Sequence, residues 1–138
     1  MARVLAIDYG LKRVGIAVTD PLRMIAQPLL TVPAHQLMQF LTDYMSKEEV
    51  SDIVLGMPVD LFNQPTHTTQ PARRLHEQLK SKFPQINIHL IDERFTTVMA
   101  KKSMLEAGAG KKQRSDKKIM DKVSAAIILQ DFLARNPT

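Results

Sequence analysis

The chain has 138 residues, no cysteine, a formal charge of +5 and ordinary apolar and charged fractions of 44% and 24%. Disulfides and thiolate metal sites are excluded, and no apolar run approaches the roughly twenty residues that a membrane helix needs. A single domain over 1–138 is expected, burying roughly two-thirds of its unfolded surface, and the positive balance weakly favours a polyanionic partner.

In chain order, Arg3–Asp8 and Arg13–Val18 read as two apolar strands joined by a tight turn around Gly10. Strand side chains alternate faces, so Asp8 shares a face with Val4 and Ala6, while Leu5 and Ile7 point the other way. A lone Asp before glycine usually serves the turn. On an apolar strand, however, its charge is costly to desolvate without a partner. Thr19-Asp20-Pro21 is a turn, and Ala26–Val32 offers a third strand; short links make these three strands antiparallel neighbours. Leu37, Phe40, Leu41, Tyr44 and Met45 recur at helical spacing, predicting a helix from His35 to about Glu49. Asp52–Leu55 is a brief strand buried on both faces, ending at Gly56-Met57-Pro58. Val59–Gln70 reads as a loop, and Pro71–Lys82 as a helix with Pro71 in its first turn. Ile86–Ile91 is a strand ending at Asp92-Glu93-Arg94. Helices are predicted over Thr96–Ala107 and about Lys118–Ala134, separated by the basic loop Gly108–Lys118.

These elements imply a three-layer α/β fold with a five-stranded mixed sheet. With the first strand central, the strand order is 3-2-1-4-5, an arrangement of the ribonuclease H type. The functional crevice of such sheets lies beyond the carboxyl ends of the parallel strands. Asp8, Gly56 and Asp92-Glu93 therefore converge on one rim. Asp121, Ser124, Ala125 and Ile128 fall on one helical face, where small Ser124 and Ala125 permit close approach to the sheet and carry Asp121 inward. A helix Asp is more commonly a solvated charge; its position above two small residues favours the inward reading here. Gathered carboxylates need a cation to stay ionised together. Oxygen donors without Cys or convergent His select Mg²⁺ or Mn²⁺. Two such ions about 4 Å apart activate water and stabilise a leaving oxygen in phosphodiester cleavage. Adjacency lets only one of Asp92 and Glu93 enter the site; the longer Glu93 is the better choice, with Asp92 a supporting or capping group.

The motifs Asp8-Tyr9-Gly10-Leu11-Lys12-Arg13-Val14-Gly15-Ile16-Ala17, Gly56-Met57-Pro58, Asp92-Glu93-Arg94-Phe95-Thr96-Thr97 and Asp121–Leu129 resemble the YqgF/RuvX family of pre-16S rRNA nucleases, also described as Holliday junction resolvases. The resemblance covers nearly the whole chain. It implies a ribonuclease H-like fold, a metal site formed by Asp8, Glu93 and Asp121, and a role in maturing the 5′ end of 16S rRNA. One departure is the absence of glycine from Val59–Pro65, where the family usually has an Asn/Asp-Gly turn.

Lys111, Lys112, Arg114, Lys117 and Lys118 crowd the loop before Asp121, with Lys101 and Lys102 one helix earlier. Charge runs are usually solvated loops; position makes this one a phosphate clamp beside the site. Lys12 and Arg94, next to Asp8 and Glu93, are expected as further phosphate contacts, the alternative being that they neutralise the site. Few aromatic residues imply recognition of backbone and shape rather than of bases. Gly108–Lys112 fails as a phosphate loop, because Leu105 replaces its first glycine and no Ser or Thr follows Lys111. His76-Glu77 lacks the second His of a zinc protease, and His35, His67, His76 and His89 show no ligand spacing.

The expected activity is a metal-dependent endonuclease acting on structured RNA, with ribosomal precursor particles as partners. Alternatives are a resolvase of branched DNA and a non-catalytic RNA-binding assembly or transcription factor; length argues against an actin-like nucleotide hydrolase. Without a secretory signal the expected location is the cytoplasm, away from membranes, as a monomer or homodimer.

Overall fold

A computed structural model describes residues 2–57, 69–92 and 117–135. The elements are β1 (Arg3–Tyr9), β2 (Arg13–Thr19), β3 (Ala26–Pro33), a 3₁₀ turn (Ala34–Gln36), α1 (Leu37–Lys47), β4 (Val50–Met57), α2 (Thr69–Lys82), β5 (Asn87–Asp92) and α3 (Lys117–Arg135). The strands form one sheet in the order β3-β2-β1-β4-β5. β1 is antiparallel to β2 and parallel to β4, and β4 is parallel to β5. This is the expected mixed topology. Pro28 and Pro33 lie on β3, the edge strand, where a missing backbone N–H leaves no gap in a central ladder.

The sheet divides its core by side-chain size. Leu5, Ile7, Val14, Ile16, Ile53 and Leu55 face one side, under Leu37 and Leu41 of α1 and Leu75 and Leu79 of α2. Val4, Ala6, Ala17 and Val54 face the other, against Ala125, Ile128, Leu129 and Phe132 of α3. Fully burying a large apolar side chain contributes about 1.5–3 kcal/mol. Ile128, Leu129 and Phe132, all at least nine-tenths buried, therefore anchor α3.

Several boundaries differ from the sequence reading: α2 starts at Thr69, within the segment read as a loop to Gln70, and β5 is shifted by one residue. α1 begins at Leu37 because Ala34–Gln36 winds as a 3₁₀ turn whose Ala34 N–H donates to the carbonyl of Lys12. β4 is longer than Asp52–Leu55, since pairing of Arg3 with Val50 and Asp8 with Gly56 draws both flanks into the ladder. Among the described residues, no helix is long and apolar enough to cross a membrane. The predicted helix over 96–107 lies outside the described residues.

Asp52 is a buried carboxylate at the end of the sheet remote from Asp8. Asn87 Nδ2 donates to its Oδ1 at 3.2 Å, Arg23 approaches its Oδ2 at 3.9 Å and His89 Nε2 lies 3.6 Å away. Arg23 takes a left-handed φ of 60°. Its guanidinium reaches from there to Ser51 and to the Ala2 carbonyl, contacts that offset the backbone cost.

The β2–β3 turn is organised by Asp20, whose Oδ1 accepts the Met24 and Ile25 N–H groups at 2.8 Å each. Those bonds, Ile25's foremost, hold the Asp20 carboxyl below its ordinary 3.8. A depressed carboxylate stabilises the fold above its unfolded-state value and loses that effect as pH falls through the folded value. Asp20→Ala is expected to lower the Tm at pH 7, with the difference from wild type shrinking as pH falls below 3.8 in circular-dichroism melts. A difference that stays constant with pH would remove the charge from this explanation.

Candidate functional site

Asp8 lies one residue before the carboxyl end of β1, half buried, directly across from Gly15 of β2 and level with Gly56 of β4. Both of its ladder partners are therefore glycines, which carry no side chain. Register also fixes its face. Ala6 pairs with Ala17 and Asp8 with Gly15, and Ala6 and Ala17 pack on α3, so Asp8 belongs to the α3 side.

Gly15 is where α3 comes closest. A Cβ added there would overlap the backbone carbonyl of Asp121 and lie 2.9 Å from the Lys122 nitrogen. Only a residue without a side chain admits the helix at this height. Ser124 and Ala125, both buried, continue the close seam one turn later. Asp121 is thereby set over the strand pair that carries Asp8. Its side chain is one-quarter exposed, and Arg13 Nε donates to Asp121 Oδ2 at 2.9 Å. Arg13 precedes Gly15 by two residues and therefore lies on the same face of β2. The turn into β2 is tight as well, since a Cβ on Gly10 would meet the Arg13 carbonyl at 2.6 Å.

β5 ends at the same rim. Ile91 is level with Gly56, hence with Asp8, and packs with the cluster under α3; Asp92 is one step further, level with Met57. Glu93, Arg94, Lys111, Lys112 and Arg114 lie outside the described residues, as do residues 58–68 and Lys101 and Lys102. Lys12 is exposed on the β1–β2 turn. Lys117 and Lys118, expected in the basic loop, belong to the first turn of α3, which holds no acidic residue. Both positions therefore sit at the positive end of the helix. Among the described residues no three His, Cys, Asp or Glu side chains group closely enough to hold a metal ion. On the other face of the rim, Tyr9, Leu37, Met38, Pro71, Arg74 and Gln78 line a cavity of about 190 Å³.

Two residues escaped the sequence reading as individuals, Gly15 and Arg13. A glycine between Val14 and Ile16 inside a strand is itself a signal of close backbone approach. The partner of Arg13, 108 positions away, had no local signal.

Residues 2–135 match the family model described as "RuvX: Holliday junction resolvase". The chain belongs to the RuvX family. A relative from Porphyromonas gingivalis is 50% identical over 133 residues and one from Bacteroides thetaiotaomicron 45% identical over 133, each match covering 96% of both chains; both are named "Putative pre-16S rRNA nuclease". The fold is ribonuclease H-like. It is similar to Thermus thermophilus RuvC, solved in complex with a Holliday junction substrate, with a TM-score of 0.59 and 15% identity, covering 100% of this chain and 98% of that one.

Replacing Gly15 tests the close approach in this RuvX-family chain. Gly15→Ala is expected to cost about 1–3 kcal/mol in urea unfolding, as overpacking does. Amide exchange in the first turns of α3 should quicken with it. Unaltered stability and exchange would mean that the helix does not rest on this glycine.

Proposed function

We propose that this protein is a divalent-metal-dependent endonuclease that processes the 5′ end of precursor 16S rRNA, acting in the cytoplasm as one domain over 1–138, as a monomer or homodimer. The observation that carries the reading is the contact of the α3 backbone at Asp121 with Gly15, directly across the ladder from Asp8. It supports the reading by setting the helix turn of Asp121 on the strand that pairs with Asp8, at the rim where parallel strands end, in a family whose relatives bear the nuclease name.

The donor chemistry fits a hard cation. Asp8 and Asp121 offer carboxylate oxygens, the chain has no thiol, and His89 lies toward the other end of the sheet, level with Val54. Glu93 is the third ligand of choice. Its side chain is longer than that of Asp92, and β5 ends at the rim that carries Asp8. Mg²⁺ or Mn²⁺ held by Asp8, Glu93 and Asp121 would supply hydroxide at neutral pH and offset the charge of the phosphorane-like transition state. In the reaction a water oxygen bonds to phosphorus, the bond from phosphorus to the leaving ribose oxygen breaks, and that oxygen takes a proton. The chain's own part is to fix the carboxylates on a rigid strand and helix, and to hold the phosphate backbone with Lys12, Arg94, Lys111, Lys112 and Arg114. The positive end of α3, opened by Lys117 and Lys118, faces the same task.

Branched DNA presents the same scissile group, and the family description names the resolvase reaction. Purified protein should therefore be incubated with precursor rRNA and with a four-way DNA junction, in Mg²⁺, Mn²⁺ and Ca²⁺. Precursor rRNA is expected to be cut in Mg²⁺ or Mn²⁺. Asp8→Asn and Asp121→Asn should each lower the rate at least a hundredfold while binding persists in Ca²⁺. Binding should weaken with salt, less steeply once Lys111, Lys112, Arg114, Lys117 and Lys118 are neutralised. Cleavage of the junction alone would assign the resolvase reaction. Binding without any cleavage would assign a non-catalytic RNA-binding factor.

A further inference from the structure

We propose that Arg13 is an exchangeable counter-cation for Asp121: it neutralises the carboxylate in the metal-free protein, and is released to hold a substrate phosphate when Asp121 turns to a divalent cation. The inference rests on the reading of Asp121 as a metal ligand.

Three observations carry it. First, the pair is made through one nitrogen only, Nε to Oδ2 at 2.9 Å. Among the described residues the two terminal nitrogens of Arg13, the planar edge that suits a phosphate, make no hydrogen bond. Second, the pair is neither buried nor free, with side chains 34% and 25% exposed. Pairs this exposed are weakly held and give way to a stronger competitor. A divalent ion on a carboxylate is such a competitor, and a guanidinium left beside it is repelled. Third, Arg13 has little distance to travel. It starts β2 next to exposed Lys12, on the face shared by Gly15 and two positions from the residue opposite Asp8. A guanidinium released there stays at the rim, beside the bond that the Asp8 carboxylate addresses. Bidentate binding of phosphate is the geometry for which Arg exceeds Lys.

The exchange makes opposite demands on the two ligands, and that separates it from a structural role. Removing Arg13 takes a competitor from the metal and a contact from the nucleic acid. Titration calorimetry with Mn²⁺ in the absence of nucleic acid is therefore expected to show Arg13→Gln binding about tenfold tighter than wild type. Asp121→Asn should bind much more weakly. The same Arg13→Gln protein in Ca²⁺ should bind structured RNA about tenfold more weakly, with a salt slope smaller by about 1. Arg13→Lys should keep wild-type Mn²⁺ affinity and recover only part of the RNA affinity. In wild-type protein, independent of any variant's folding, the Arg13 Nε–H resonance should leave its hydrogen-bonded position as Mg²⁺ is added. Wild type that binds Mn²⁺ through Asp121, with Arg13→Gln no tighter and the Nε–H resonance unmoved, would overturn the exchange while leaving the nuclease reading intact. Wild type indistinguishable from Asp121→Asn toward Mn²⁺ would remove the metal site, and the exchange with it.

Discussion

The structure turns on the backbone of helix α3 resting on strand β2 where Gly15 has no side chain. A helix ordinarily stands off a sheet by the height of two layers of side chains. Here the interposed residues are Ala6, Ala17, Ser124 and Ala125, and at the tightest point there is nothing at all. Height is what this spacing controls. Asp121 has a short side chain, and on a helix held up by leucines its carboxylate would stand further from the sheet. The opposite face of the sheet shows the ordinary case, with Leu5, Ile7, Ile16, Ile53 and Leu55 under α1 and α2. The two faces divide the work, bulky side chains for cohesion and small ones for proximity.

Proximity has an electrostatic cost that the same geometry meets. Holding an aspartate close over the sheet takes its charge partly out of water, at a cost that a partner offsets. Arg13, on the face of β2 that carries Gly15, answers Asp121 at 2.9 Å. The opposite end of the sheet meets a comparable problem differently. Asp52 is more deeply buried there and is ringed by Asn87, Arg23 and His89, with the His89 ring tilted against Phe132 at a centroid distance of 4.7 Å. The buried carboxylate has several partners and a structural place, tying the 20–25 turn and β5 to the sheet. Among the described residues the rim carboxylate of Asp121 has a single-point partner, one-third exposed, an arrangement suited to exchange.

Much of this was legible in the chain before any coordinates. Alternation alone put Asp8 with Val4 and Ala6, because period two leaves a strand residue no other choice. Helical spacing put Asp121 over Ser124 and Ala125, and short links between the first three strands led to the strand order. The membership of 2–135 in the RuvX family agrees with the resemblance carried by those same motifs. What was not legible depends on contacts between segments far apart. Gly15 can be read as a strand glycine, but its meaning comes from Asp121, which no local rule brings to it. Arg13 reads as one more cation until its partner is known. The ends of α1 and β4 were misplaced for the same reason: a bond from Ala34 to Lys12 and a ladder from Arg3 to Val50 set them, and neither is a local preference.

The central proposal is that one divalent cation is shared by the carboxylates of Asp8 and Asp121. Crystals soaked in Mn²⁺ and measured at the manganese absorption edge test it directly. The expected result is an anomalous peak bound by oxygens of both Asp8 and Asp121, with the Arg13–Asp121 contact opened. A manganese ion held by only one of those residues, or bound elsewhere on the chain, would contradict it.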